Sequence, residues 1–169
     1  MESVSIRELF RNTALYAGKT VSVGGWVRSV RASKAFGFIV LHDGTFFTPL
    51  QVVYHDNLDN FQEISKTNVG AALVVTGTLV ETPDAKQPFE LQAESVVVEG
   101  SSGPDSPLQK KRHSLEFLRT MTHLRPRTNT FQAVFRVRSL IAYAIHRFFQ
   151  ERDFVYVHTP LITGSDFEG

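Results

Sequence analysis

Five short runs rich in valine, aromatics or alternating apolar residues follow one another between Val21 and Val98, with one helical pattern inserted between the third and the fourth. The runs are Val21 to Arg31, Phe36 to His42, Leu50 to Tyr54, Ala72 to Glu81 and Phe89 to Val98, each bounded by Gly, Pro, Asp or Asn. Alternation at period two predicts half-buried strands, and the bounding residues predict their turns. Within Asn57 to Lys66, Leu58, Phe61 and Ile64 recur at three-residue spacing, which suits a short helix. Three strands, a helix and two strands is the order of an OB-fold barrel, a fold that binds oligonucleotides across its second and third strands and neighbouring loops. Other small five-stranded barrels share that order.

A helix over residues 5–17 precedes the first strand. Ser5 and Glu8 have capping-box spacing, Val4 is placed to staple onto Leu9, and Gly18 supplies a stop. After the fifth strand the composition changes: residues 100–107, GSSGPDSP, hold two Gly, three Ser and two Pro. That composition reads as an interdomain linker. The division expected is a barrel domain at 1–100, a linker at 101–112 and the start of a second domain at 113–169.

In the second domain the pattern is helical. A short helix is expected at His113 to Leu124, with the stretch RPRTN breaking it. Asn129 or Thr130 is the expected cap of a longer helix that runs to about Arg152. Phe131, Val134, Phe135, Ile141, Ala144, Ile145, Phe148 and Phe149 form its broad apolar face. Phe154 to His158 then reads as an extended strand that Pro160 ends. Nine residues follow Pro160, so this helix and strand read as a domain begun and not completed.

Several function classes drop out on composition. With no cysteine there is neither a disulfide nor a thiolate metal site, and the six histidines show no metal-ligand spacing, so no metal site is expected. No run approaches the length of a membrane span, and MESVSIRELF lacks the order of a signal peptide, so a cytoplasmic address is expected. A formal net charge of +1 does not by itself mark a nucleic-acid binder. Local distribution is more informative: Arg28, Arg31 and Lys34 stand just before the aromatic strand that carries Phe36 and Phe38. Cations that track phosphates beside a ring that stacks a base suit single-stranded nucleic acid. The competing reading puts both rings in the core and leaves the basic side chains merely solvated. His146 and His158 have neither a nucleophile nor an orienting carboxylate nearby in sequence, and both read as packing residues.

Three segments, VSVGGWVRSVRASKAFGFIVLHDG, KKRHSLEFLRTMTHLRPRTNTFQAVFRVRS and FVYVHTPLITGSDFEG, cover most of the chain. In them the chain resembles the N-terminal part of bacterial asparaginyl-tRNA synthetases, class II enzymes whose N-terminal OB-fold binds the anticodon. The middle segment favours the asparaginyl over the aspartyl branch. The resemblance implies that the long helix and the strand ending at Pro160 are motif 1, with Arg138, Ile141, Ile145, Phe149 and Pro160 at a homodimer interface. It places motifs 2 and 3, which grip ATP, downstream, so no catalytic residue is expected in this chain.

Roles carried over by the resemblance are specific. Phe38 matches the aromatic that stacks on an anticodon base, Arg31 a basic residue of the same surface, Gln51 a glutamine that bonds a base edge, and Glu90 an acidic residue near the anticodon's first base. Unstacked anticodon bases expose edges that amides and carboxylates read. Glu168 matches a glutamate that contacts the ammonium group of the amino-acid substrate. The implied whole enzyme uses ATP and Mg2+ to activate asparagine and transfers it to tRNA(Asn), with no DNA or membrane partner. A non-catalytic RNA-binding module and an aspartyl-type synthetase, including one that charges both tRNAs, are the alternatives.

Overall fold

All five expected runs become strands of a single closed barrel. The computed structural model describes residues 3–162 and 164. Strand β1 (Thr20–Ala32), β2 (Phe36–His42), β3 (Leu50–His55), β4 (Ala72–Glu81) and β5 (Phe89–Gly100) hydrogen-bond in the order β1-β2-β3-β5-β4. Neighbours are antiparallel except β3 and β5, which run parallel and close the barrel. This is the OB-fold order.

Period-two alternation builds the interior. In β2, Gly37, Ile39 and Leu41 are buried while Phe36 and Val40 are not, and the inward residues of all five strands join one core cluster. Ile6 and Leu9 cap that cluster from one end of the chain, and Phe61 and Ile64 join it from the helix between β3 and β4. The inward row leaves little slack. A Cβ on Gly37 would collide with the ring of Tyr54, its cross-strand partner, and one on Gly77 would collide with the backbone of Gln92.

The N-terminal segment keeps its expected start but not its continuity. Helix α1 (Ile6–Arg11) is capped by Ser5, whose Oγ accepts from the Glu8 N–H at 3.2 Å. Asn12 leaves helical geometry at φ −129°, ψ 40°, and α2 (Thr13–Tyr16) starts afresh after it. Asn12 serves as the C-cap of α1, its backbone N–H donating to the Glu8 carbonyl and its Nδ2 to Glu8 Oε1 at 2.7 Å. Gly18 at φ +71° ends the segment and donates its N–H to the Leu79 carbonyl, which fastens the turn to β4. At the other end of α1, Asp43 Oδ2 accepts from the Ile6 N–H at 2.8 Å, which ties the β2–β3 loop to the helix start.

The helix between β3 and β4, α3 (Phe61–Ser65), is shorter than expected but falls within the expected segment. Beyond β5, residues 101–114 hold no helix or strand. Helix α4 (Leu115–Arg119) covers only part of the expected 113–124 helix, with Ser114 as its cap. A short 3-10 turn, Arg125–Arg127, follows. The chain divides into two compact units, Met1–Arg125 and Pro126–Gly169.

In the second unit α5 (Asn129–Gln150) is the expected long helix, but its cap is Thr128, not Asn129 or Thr130. Thr128 Oγ1 accepts from the Phe131 N–H. The helix closes with Asp153 in the left-handed region at φ 62°. Phe154 N–H donates to the Phe149 carbonyl and Asp153 N–H to the Gln150 carbonyl, while the rings of Phe149 and Phe154 meet edge to face at 5.2 Å. Those are the two hydrogen bonds and the apolar contact of a Schellman closure. The strand expected at Phe154 to His158 is not formed: residues 154–160 have no regular structure. A strand needs a ladder partner for its N–H and C=O groups, and no strand pairs with it among the described residues.

Candidate nucleic-acid interface

One outward face of the barrel collects side chains from four strands. Arg31 on β1 lies opposite Phe38 on β2, Phe38 opposite Val53 on β3, and Val53 beside Gln92 on β5. One step along, Ser29 lies opposite Val40 and Val40 opposite Gln51. Gln51 then reaches across to β5, where its Nε2 donates to Glu90 Oε2 at 3.2 Å. Gln92 donates to the other oxygen of the same carboxylate, Nε2 to Glu90 Oε1 at 2.8 Å. So the four residues marked on β1, β2, β3 and β5, namely Arg31, Phe38, Gln51 and Glu90, share a single face.

Register produces this grouping. A one-residue slip in β2 would send Phe38 into the core and Ile39 into solvent. A β-bulge between Val27 and Ser29 corrects the phase of β1 and thereby sets Arg31 on the outside beside Phe38. Arg28, the bulged residue, is partly buried, and burial lowers the pKa of its guanidinium. Arg31 and Lys34 are exposed.

Neither ring of the basic and aromatic run lies in the core. Phe36 and Phe38 stand on the outer side of β2, with Phe36 39% exposed and the two rings edge to face at 5.5 Å. Gly37 between them takes the inward position, where only a residue without Cβ clears Tyr54. His55, opposite Phe36, extends the aromatic row at 6.3 Å between ring centroids. An exposed ring flanked by cations and followed by amide and carboxylate groups is chemically able to stack one base and bond the edge of another.

One participant escaped the reading of the sequence. Gln92 shares the outer face with Glu90 because FELQA alternates Phe89, Leu91 and Ala93 inward, so its signal was present in the period. Glu168 lies outside the described residues.

The remaining marked residues lie on the other unit. Arg138, Ile141, Ile145 and Phe149 on α5 are exposed, as is Pro160 beyond it. No residue of α5 is buried, and Leu140, Tyr143 and Phe148 add to the exposed apolar surface. Among the described residues no helix is long and apolar enough to cross a membrane.

Comparison with known proteins agrees with both halves. Residues 21–99 match the family model described as OB-fold nucleic acid binding domain, and residues 114–169 the model described as tRNA synthetases class II (D, K and N). The asparagine-tRNA ligase of Acetivibrio thermocellus is 66% identical over 170 aligned residues, covering 100% of this chain and 37% of the relative. That of Clostridium acetobutylicum is 61% identical over 169, covering 100% and 36%. The chain thus spans little more than a third of the length of these relatives. Among solved structures, an asparaginyl-tRNA synthetase from Pyrococcus horikoshii superposes with a TM-score of 0.83 at 21% identity, over 99% of this chain and 40% of that one. A putative aspartyl-tRNA synthetase from Leishmania major superposes with a TM-score of 0.77 at 18% identity, over 94% and 35%. At those identities the superpositions speak to the fold.

Proposed function

We propose that this chain is the N-terminal part of an asparagine-tRNA ligase, a class II tRNA synthetase of the D, K and N group, a reading its likeness to those enzymes supports, and that its barrel holds the anticodon loop of tRNA(Asn) for an enzyme that charges that tRNA with asparagine. In that enzyme the asparagine carboxylate attacks the α-phosphate of ATP, pyrophosphate leaves, and the acyl group passes from the resulting acyl-AMP to a hydroxyl at the 3′ end of the tRNA with release of AMP. The share of this chain in the process is recognition and positioning. Proximity and orientation supply much of the rate of such a two-substrate reaction, and an anticodon held on the barrel fixes where the acceptor end can go.

The observation that carries the reading is the convergence of Arg31, Phe38, Gln51 and Glu90, from four strands, on one outward face. Phe38 stacks on a base, Arg31 meets a phosphate, and Gln51 with Glu90 reads base edges. The domain limits that fit this division are 1–100 for the barrel, 101–112 for the linker and 113–169 for the start of the catalytic domain. The exposed apolar face of α5, with Arg138, Ile141, Ile145, Phe149 and Pro160, is the homodimer element of the same proposal, and Glu168 is the residue that meets the ammonium group of asparagine. A cytoplasmic location belongs to it as well.

ATP and Mg2+ belong to the whole enzyme. Among the described residues no three His, Cys, Asp or Glu side chains converge where a metal ion could sit. The test is amino-acid-dependent pyrophosphate exchange by the whole protein. Exchange driven by asparagine supports the reading, exchange driven by aspartate replaces it with an aspartyl-type enzyme, and absence of exchange with either leaves a non-catalytic RNA-binding module in its place.

A further inference from the structure

Residues 101–114 form neither helix nor strand, yet their backbone is tied down at several points. Asn68 Nδ2 donates to the Ser102 carbonyl at 2.9 Å. Beside it Gly70, at φ +92°, leaves room for the Ser102 and Ser106 hydroxyls, which a Cβ there would approach to 3.3 Å and 3.9 Å. The Gly70 N–H donates in turn to the Val27 carbonyl of β1 at 2.8 Å, so the segment is fastened to the barrel wall. Further on, Gln109 closes a turn. Its side-chain amide donates to the Pro104 and Ser106 carbonyls, its backbone carbonyl accepts from the Lys111 N–H at 2.7 Å, and its own N–H donates to His113 Nε2 at 3.3 Å. The His113 ring stacks on Phe117 of α4 at 5.2 Å between centroids. A run whose composition marks a flexible tether is therefore a fixed arm of the first compact unit.

That arm is strongly basic. Lys110, Lys111 and Arg112 stand side by side at the turn, all exposed, and among the described residues none of them forms an ion pair. Residues 100–125 hold five basic side chains, Lys110, Lys111, Arg112, Arg119 and Arg125, against two acids, Asp105 and Glu116, a balance of +3 in a chain whose total is +1. Neighbouring cations repel one another, and a backbone that holds them together keeps that repulsion in place until an anion arrives. A nucleic-acid strand offers consecutive anions, and the counterions it sheds drive its binding to such a cluster. We propose that the Gln109 turn is a phosphate-binding arm: Lys110, Lys111 and Arg112 take the backbone of the RNA stem that continues from the loop on the barrel face, and Gln109 positions them. The inference rests on the reading of the barrel as the holder of an anticodon loop. The arm is anchored beside Val27 of β1, about 13 Å along the strand from Arg31, so it engages RNA beyond the stretch that Arg31 and Phe38 cover. Contacts of this kind set register and orientation and carry no sequence information.

The experiment measures binding of the 169-residue chain to a short RNA hairpin bearing the loop anticodon GUU, complementary to asparagine codons. A linear strand of the same loop sequence, without the stem, is the comparison, and both are followed over a salt series. Lys110→Gln, Lys111→Gln and Arg112→Gln together should lower the magnitude of the hairpin's salt slope by about 2–3, the share of three phosphates, and weaken its binding about ten- to hundredfold near 0.1 M salt. Binding of the linear strand should not change. Gln109→Ala keeps every charge and opens the turn, and should weaken hairpin binding about three- to tenfold and reduce the slope, again without effect on the linear strand. An unchanged slope in the triple variant, or a loss shared equally by hairpin and linear strand, overturns the stem contact. Hairpin binding unchanged in Gln109→Ala overturns the positioning role. Phe38→Ala is the control on the underlying reading: it should weaken both RNAs alike, and if it leaves both intact the face is not the anticodon site, a failure separate from any behaviour of the arm.

Discussion

Replacing Phe38 with Ala separates what the ring does for the RNA from what it does for the barrel. Phe38 points outward, partly exposed, and takes no part in the core cluster. The substitution removes no core contact, and the largest structural loss is the edge-to-face pairing with Phe36 at 5.5 Å. Such pairs contribute about 0.5–1.5 kcal/mol beyond area burial, small against the roughly 5–15 kcal/mol that holds a domain folded. Binding should suffer more. One stacked base is worth about 1–3 kcal/mol, which converts to a loss of about 5- to 150-fold in affinity. The assay is fluorescence anisotropy with a labelled GUU hairpin, repeated over a salt series. Stacking involves no phosphate, so the slope of log K against log salt should stay as it is while the whole line drops. Unchanged affinity in a variant whose circular dichroism melt remains cooperative would refute the assignment. A line that changes slope would show that the ring acts by placing Arg31, not by stacking.

Arg31→Ala should do the reverse, lowering the magnitude of the salt slope by about 0.7–0.9, the share of one phosphate contact; an unaltered slope would take Arg31 off the phosphate path. Gly37→Ala drives a methyl into the Tyr54 ring and should cost about 1–3 kcal/mol, the range for overpacking a filled core, as read by urea denaturation; a neutral result would mean that Tyr54 has another place to go. The exposed apolar face of α5 should make this chain self-associate, since large apolar patches drive association, and Ile141→Asp with Ile145→Asp should shift it toward monomer in light scattering. A clean monomer before substitution, with α5 fully protected from hydrogen exchange, would contradict that.

Strand existence and order were legible because alternation is a local property. Each residue of FGFIVLH declares its side by its neighbours two away, and the turns between runs are written in Gly, Asp and Asn. Helix ends were less legible. Thr128 caps α5 although Asn129 and Thr130 carry equally suitable side chains, because the cap is whichever residue leaves helical φ and ψ first. Asn12 broke a helix whose apolar spacing continued past it, by leaving helical φ and ψ at a position the apolar pattern does not mark. Phe154 to His158 has the composition of a strand, but composition does not supply a ladder partner.

By itself the sequence determined that five strands exist and in what order, where the barrel gives way to helices, and which basic and aromatic residues stand near one another along the chain. Tertiary structure alone decided who meets whom across strands. Gln51 and Glu90 are 39 positions apart, and only the parallel pairing of β3 with β5 brings amide to carboxylate. Gln92 became part of the site for the same reason, because a face is shared by period but a hydrogen bond is made by register.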